Sequence, residues 1–197
     1  TERVPNFEIL IEDQHVERLL GRPAGNTLGV GGDPAKGSEA AEGVRPMYPN
    51  DYLELCRIIG QDVIVLENLG TPIKRRKPDG SIVPWNDRSL KSRADLERIV
   101  WPGEDEIERR VAYIREYVAA AEGTGIGVMF LCGCIFQTLY EFVIGLTDCM
   151  VLMVEESELF DELMARSADY FAELVRRAVA EGVDIIFLAD DFAYNKG

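Results

Sequence analysis

The stretch that decides the fold is residues 182–197, which read GVDIIFLADDFAYNKG. A long amphipathic pattern runs into Gly182, an apolar run follows over 184–188, and the run leads to the adjacent carboxylates Asp190 and Asp191. Helix, glycine, apolar strand and then acid is the repeating unit of a parallel α/β protein. In β/α barrels the chemistry lies at the carboxyl ends of the strands. The stretch therefore predicts a parallel sheet with Asp190 and Asp191 as first candidates for catalysis.

Two other apolar runs, 62–66 and 128–131, are continuous, as expected of strands buried on both faces. Apolar periodicity predicts a helical arm over 1–20 and longer helices over 105–122 and 157–181. The remaining expected elements are a Gly-rich loop over 21–43, helices over 49–59, 92–101, 136–144 and 148–154, and a hairpin with strands at 73–77 and 81–85. We expect one domain over 1–197, in which 1–60 form the helical arm and Gly-rich loop and 61–197 the barrel strands and helices.

Composition excludes several classes of protein. The net charge is −14 and the pI about 4.5, whereas a nucleic-acid binder needs a basic face. No run approaches 18 consecutive apolar residues, and the first residues lack the apolar core of a secretory signal. The four cysteines show no disulfide spacing pattern, which favours reduced thiols. We therefore expect a cytoplasmic protein with no membrane and no nucleic-acid partner.

The strand-end carboxylates have two interpretations. Neighbouring residues on a strand point to opposite faces, so only one of Asp190 and Asp191 can face a barrel mouth, and the sequence does not say which. Either could instead be a structural cap of a turn or helix. Glu67 follows the first strand and adds a carboxylate to the same rim, or is purely structural.

Thiols and cations offer weaker signals. Cys132 and Cys134 share a strand face and could bind zinc, but a zinc site needs a third protein ligand, and buried structural thiols are favoured. The only histidine, His15, lies in the N-terminal arm, so a Ser–His–acid or Cys–His nucleophilic site is unsupported. The basic run Lys74–Lys77 is either a solvated edge ribbon or a binding site for an anionic substrate.

Several segments together resemble the uroporphyrinogen decarboxylase superfamily, which includes zinc- and corrinoid-dependent methyltransferases. The matching segments are 3–8 (RVPNFE), 60–65 (GQDVIV), 133–137 (GCIFQ), and 182–186 (GVDII) leading to 189–191 (ADD). The resemblance implies a (β/α)8 TIM-barrel type of fold with an N-terminal helical region. It also implies that these residues cover that region and about the first three strands of a longer protein.

The superfamily that this chain resembles has a decarboxylase branch and a methyltransferase branch, which differ in their sequence motifs. The decarboxylase branch holds its substrate's carboxylates with an arginine-rich N-terminal motif and has an aspartate after the first strand. Here those positions read 4–9 (VPNFEI) and 66–69 (LENL), so both features are missing. The N-terminal Arg-Val-Pro and the acid pair look more like the methyltransferase branch, in which zinc activates a thiol or similar acceptor and a corrinoid protein carries the methyl group.

The resemblance therefore implies a corrinoid-linked methyltransferase that moves a methyl group to or from a thiol or corrinoid acceptor. The alternatives are a decarboxylase of a porphyrinogen or related acid and a non-catalytic barrel fragment that binds a partner. Zinc is expected with ligands outside this chain, so no metal ligand is assigned here. Expected partners are a small-molecule methyl donor or acceptor and a corrinoid protein, and the oligomeric state stays open. We expect Asp190 and Asp191 to be catalytic, and the substrate-binding residues to be Glu67, Asn68, Cys134, Gln137 and Asn195.

Overall fold

The computed structural model describes residues 4–25, 27, 47–68 and 73–190, and for Glu67 and Asn68 it describes the backbone. In chain order the elements are α1 Asp13–Leu20, α2 Pro49–Ile59, β1 Val63–Asn68, β2 Lys74–Arg76, β3 Ile82–Pro84, α3 Arg93–Leu96, β4 Ile99–Val100, α4 Glu104–Val111, α5 Ile114–Ala121, β5 Gly127–Cys132, α6 Ile135–Thr138, a π-helical turn Leu139–Val143, α7 Leu146–Glu155, α8 Ser157–Ala180 and β6 Ile185–Phe187.

The chain divides into two compact units. The first comprises Thr1–Gly70, Glu108–Cys132 and Leu174–Phe187, and the second comprises Thr71–Ile107, Gly133–Glu173 and Leu188–Gly197. The prediction of one domain over 1–197 stays a prediction, and each unit is described by itself.

The first unit contains the parallel sheet that the three apolar runs predict. Its strand order is β1-β5-β6, and both neighbouring pairs are parallel. Ile64, Leu66 and Phe130 are fully buried, because a parallel strand is covered on both faces. The three predicted strands and their parallel arrangement are therefore confirmed, and the fold is mixed α/β.

The N-terminal arm is not helical throughout, so the prediction for 1–20 is wrong for residues 4–12. Helix α1 begins only at Asp13, and backbone groups of the preceding residues form hydrogen bonds outside a helix. Asn6 donates its backbone N–H to the Asp62 carboxylate at 2.7 Å, and the Asp62 N–H returns to the Asn6 carbonyl at 2.8 Å. These bonds hold the arm beside the start of β1 and replace the bonds that a helix would make.

Helix α2 follows its sequence signals closely. Pro49 occupies the first turn, where its missing N–H is no loss, and Gly60 ends the helix in the left-handed conformation at φ 72°. The buried Tyr52 hydroxyl donates to the Val65 carbonyl at 3.1 Å and accepts from the Val65 N–H at 3.3 Å. This side chain thus fixes the helix against β1.

The helix predicted over 105–122 is two helices, α4 and α5, separated at residues 112–113. The apolar spacing nevertheless continues across the break, since Ile107, Val111 and Ile114 are all buried. Periodicity reports which face is buried and does not reveal whether the backbone hydrogen bonds are continuous. The interruption therefore has no signal in the apolar pattern.

The second unit contains a small antiparallel sheet with strand order β3-β2-β4. The predicted hairpin is confirmed, but β2 lies in the centre of this sheet, so the interpretation of residues 74–77 as an edge ribbon is wrong. The reason is β4, a strand of two residues that follows α3. Helix α3 has the expected capping box at Ser92 and Asp95, but it ends at Leu96 and does not reach Trp101.

The core of the second unit packs the small sheet against α7, α8 and the π-helical turn. Its fully buried members are Ile73, Trp85, Leu90, Leu139, Val143, Cys149 and Leu163. The helix predicted over 136–144 is one α turn followed by the π-helical turn, in which the Ile144 N–H reaches the Leu139 carbonyl at 2.8 Å. Single π turns inside helices are rare and frequently mark functional sites.

Among the described residues, no single helix is long and apolar enough to cross a membrane. Two helices bent by 112°, Ile135–Val143 and Leu146–Glu155, meet the requirement of length and composition only when they are taken together.

Candidate strand-end site

Asp190 lies three residues after β6 and is the best-defined acid of the predicted site. Its Oδ2 accepts the backbone N–H of Phe136 at 2.8 Å, and its Oδ1 accepts that of Gln137 at 3.0 Å. Both N–H groups belong to the first turn of α6, where backbone donors have no partner within the helix. The carboxylate is therefore held rigidly by both oxygens, and each oxygen keeps a lone pair for another donor.

Two further predicted residues lie at the same place. The Cys134 thiol donates to the carbonyl of Ala189, the residue before Asp190. Gln137 donates a side-chain amide hydrogen bond to Glu141 Oε2 at 3.0 Å, and its backbone N–H donates to Asp190 Oδ1. The structure thus brings Asp190, Cys134 and Gln137 together.

The remaining predicted site residues are less fully described. Glu67 and Asn68 form the last two positions of β1, where they pair in register with Leu131 and Cys132 of β5. Asp191 and Asn195 lie outside the described residues. The choice between Asp190 and Asp191, and the substrate-binding role of Glu67, Asn68 and Asn195, stay predictions.

Two residues of this cluster, Glu141 and Ser167, are not among those predicted from the sequence. Glu141 holds the Gln137 amide, and its signal was the four-residue spacing that places both side chains on one helix face. Ser167 is fully buried on α8, and its hydroxyl donates to the Ile135 carbonyl at 3.2 Å. A serine within the apolar face of a long helix was its only signal, and the partner 32 residues away could not be read from the sequence.

The basic residues of β2 are engaged with acids. Lys74 Nζ lies 2.9 Å from Glu106 Oε2, and the Arg75 guanidinium binds the Asp87 carboxylate through both terminal nitrogens. Burial opposes ionisation of Asp87, but hydrogen bonds from Ser89 and Arg75, with the charge of Arg75, hold the pKa of that carboxyl below its usual range. Arg75 also stacks over the buried Trp85 ring at 5.5 Å.

The thiols of Cys56 and Cys149 are expected to be unreactive at neutral pH. Burial raises the pKa of Cys56 to about 12 and that of Cys149 to about 11, so both are protonated at neutral pH. Cys132 is buried at the end of β5, and no cysteine forms a disulfide. His15 is exposed on α1. Within the part of the chain that the structure describes, no three His, Cys, Asp or Glu side chains are grouped to hold a metal ion.

An open cleft lies at the other ends of the strands, within the first unit. Gly127, Gly182, Asp184 and Arg115 contribute to its walls. Asp184 precedes β6, and its Oδ2 accepts the Val128 N–H at 2.8 Å. In β/α barrels the amino ends of the strands are associated with stability and the carboxyl ends with chemistry, so the strand-end cluster around Asp190 is the candidate site.

Comparison with known proteins identifies one family and three similar chains among solved structures. No curated protein matches the chain. Among solved structures, the chain resembles a methyltransferase from Methanosarcina mazei with 13% identity and a TM-score of 0.46. That match covers 93% of this chain but only 59% of the other, and a likeness at this level supports no conclusion about activity.

The family comparison is decisive. A model described as uroporphyrinogen decarboxylase (URO-D) matches residues 36–196, which is most of the chain. Members of that superfamily fold as β/α barrels, in agreement with the parallel sheet and its intervening helices. The chain belongs to the uroporphyrinogen decarboxylase family.

Proposed function

We propose that this chain is part of a corrinoid-linked methyltransferase of the URO-D superfamily, with Asp190 on the substrate side of a barrel rim. The described residues would then form the N-terminal helical region and about the first three strands of the barrel. The residues that resemble the methyltransferase branch, Arg3 to Pro5 and the acid pair after β6, support this choice.

The observation that carries the proposal is that Lys74 and Arg75, in the basic run Lys74–Lys77, are already paired with acids. A porphyrinogen decarboxylase needs cationic groups for the substrate's carboxylates. Lys74 and Arg75 are the half-buried members of that run, and each is already bound to a carboxylate of its own unit. Two of the four cations of the run are therefore neutralised within their own unit, which weakens the run as a site for a polycarboxylate substrate.

Asp190 suits a positioning and hydrogen-bonding role in methyl transfer. Two backbone N–H groups fix its orientation, which reduces the reorganisation needed when substrate binds. The free lone pairs of both oxygens can accept a hydrogen bond from a donor on the methyl acceptor. Gln137 and the Cys134 thiol lie at the same strand end and would line the path of that acceptor.

Zinc and the corrinoid are part of the proposal and are not assigned to described residues. Zinc would lower the pKa of an acceptor thiol so that the thiolate is available at neutral pH. The described residues do not fit a zinc site, because they include no group of three possible ligands, and we derive no step through the metal. A corrinoid protein would deliver the methyl group as a separate partner.

The test uses the intact protein with two probe reactions under the same conditions. Methylcobalamin and dithiothreitol probe methyl transfer, with the S-methyl product measured by mass spectrometry. Uroporphyrinogen probes decarboxylation, with the released carbon dioxide measured. Methylation of the thiol without decarboxylation supports the proposal, and carbon dioxide release overturns it in favour of the decarboxylase. Inactivity in both reactions overturns it in favour of a binding fragment.

Zinc content is measured on the same preparation by native mass spectrometry. One zinc ion per chain, whose removal by a chelator abolishes methyl transfer, is the expected result. Full methyl transfer by metal-free protein would contradict the zinc part of the proposal and leave the methyl transfer itself intact.

A further inference from the structure

Ser167 is a polar residue on the buried face of helix α8. Its side chain is fully buried, and its neighbours four residues away on the same face, Leu163 and Phe171, are buried as well. Alanine at this position would have a better helix propensity and would avoid the cost of burying a hydroxyl group. The partner of that hydroxyl is therefore what distinguishes serine from alanine here.

The Ser167 hydroxyl forms a hydrogen bond outside its own helix. A serine within a helix often bonds a carbonyl of the preceding turn of the same helix. Ser167 donates to the carbonyl of Ile135 at 3.2 Å, 32 positions away and in the first turn of α6. Both residues belong to the second unit, so this bond ties α8 to α6 within one compact body.

The acceptor of this bond belongs to the peptide group that holds Asp190. The Ile135 carbonyl and the Phe136 N–H are the two ends of one planar peptide group. The Phe136 N–H donates to Asp190 Oδ2 at 2.8 Å. The hydroxyl, the peptide group and the carboxylate therefore form a continuous chain of hydrogen bonds from Ser167 to Asp190.

The other oxygen of Asp190 is held in a different way. Its Oδ1 accepts the Gln137 N–H at 3.0 Å, and that N–H shares its peptide group with the Phe136 carbonyl. The Phe136 carbonyl accepts the backbone N–H of Leu139, so this peptide group is held by the backbone of the helix. The contact at Gln137 is therefore an internal reference for the contact at Phe136, where a side chain takes part.

We propose that Ser167 is a positioning residue for Asp190, which acts through the peptide group between Ile135 and Phe136. Its hydroxyl fixes the orientation of that peptide group and polarises the N–H towards the carboxylate. Bonds in such a chain strengthen one another by about 10–30% each, and burial keeps the effective dielectric constant around the hydroxyl low. The importance of this for catalysis rests on the proposed function, in which a rigidly held Asp190 orients the methyl acceptor.

The first test is the amide proton resonance of Phe136 in the intact protein, measured by NMR, because a weaker hydrogen bond moves such a resonance upfield. Ser167→Ala should move it at least about twice as far as the resonance of Gln137. Ser167→Cys nearly keeps the volume of the side chain but supplies only a weak S–H donor. It should therefore give a position between those of wild type and Ser167→Ala.

The matched control is Ser89→Ala, which removes another hydroxyl from the second unit. The Ser89 hydroxyl bonds three side chains at 2.6 to 2.9 Å, so its loss should destabilise the unit at least as much as the loss of one bond at Ser167. It should leave the Phe136 resonance in place. Circular dichroism checks that each variant folds.

The second test is the rate of methyl transfer. Ser167→Ala should lower kcat about fivefold and leave KM within about twofold of wild type, because Asp190 is held less firmly in the transition state. The same substitution should have little further effect in Asp190→Asn, since Ser167 acts through Asp190. If the wild type transfers no methyl group, the proposed function fails, and the amide resonances still decide the role of Ser167.

Three results of the NMR test would overturn the proposal. These are a Phe136 resonance that Ser167→Ala leaves in place, one that Ser89→Ala moves equally far, and one that Ser167→Cys restores completely. In an active enzyme, equal losses of kcat from Ser167→Ala in the wild type and in Asp190→Asn would overturn it as well.

Discussion

Asp184 and Asp190 flank the same short strand and use their carboxylates differently. Asp184 precedes β6 and takes one N–H, that of Val128, while its own N–H returns to the Val128 carbonyl at 2.8 Å. Asp190 follows β6 and takes two N–H groups from the first turn of α6, one with each oxygen. The first contact ties strand to strand, and the second holds a carboxylate beside a polar cluster. Asp184 is exposed whereas Asp190 is half-buried, and their hydrogen-bond partners differ as well.

The largest expected effect is on catalysis at Asp190. Asp190→Asn keeps the size of the side chain but removes its charge and turns one acceptor into a donor facing an N–H. If Asp190 orients the methyl acceptor, kcat for methyl transfer should fall on the order of 100-fold. The measurement is the initial rate at saturating acceptor, corrected for the folded fraction of each preparation.

Asp184→Asn is the matched control, because it makes the same change on the other side of β6. It should leave kcat within about twofold of wild type, since its contact serves the strands. Full activity of Asp190→Asn would make Asp190 a structural cap only. Equal losses in the two variants would show that the rate reports stability and not chemistry.

Thiol reactivity gives the second largest effect. Cys134 is partly exposed, whereas Cys56 and Cys149 are buried, with pKa values of about 12 and 11. Cys134 should therefore react with iodoacetamide at least about tenfold faster than either of them in the native protein. Peptide mass spectrometry of a timed reaction at pH 8 measures the three rates.

Alkylation by iodoacetamide also distinguishes Asp190 from Asp184. Because the Cys134 thiol bonds the carbonyl next to Asp190, Asp190→Asn should increase the rate at Cys134. Asp184→Asn should not change it. Rapid labelling of Cys56 in the wild type would contradict the packing of α2.

The strand ends could be predicted from the sequence because their signals are local. Continuous apolar runs define β1, β5 and β6, and the acids that follow them can be read directly. The contacts of those acids could not be predicted, since Asp190 bonds residues 53 and 54 positions away. The central place of β2 depends on β4, which has only two residues and no distinct pattern. The sequence therefore predicts the acids at the strand ends but not the bonds that hold Asp190.

The third prediction concerns stability at Asp184. Asp184→Ala leaves the buried Val128 N–H without its acceptor, so the free energy of unfolding should fall by about 1–2 kcal/mol. Urea denaturation followed by circular dichroism measures this difference. Substituting Gly127 is not an equivalent test of this contact, because a Cβ there would lie 3.3 Å from the Asp184 carboxylate. A change below about 0.5 kcal/mol would mean that solvent replaces the lost acceptor.

The smallest expected effect is at Asp95, a capping carboxylate to which the proposed function gives no role. Partial burial opposes its ionisation, but hydrogen bonds from the backbone of Lys91 and from Ser92, with the charge of Arg98, hold its pKa below the usual range. A lowered pKa in the folded state stabilises the protein above the unfolded pKa, near 4, and the effect is lost as the pH falls through the folded pKa. Asp95→Asn should therefore lower the free energy of unfolding by about 0.5–1 kcal/mol at pH 7, and the difference from wild type should vanish in acid. Urea denaturation at a series of pH values measures it. A difference that persists at low pH would assign the effect to shape and not to charge.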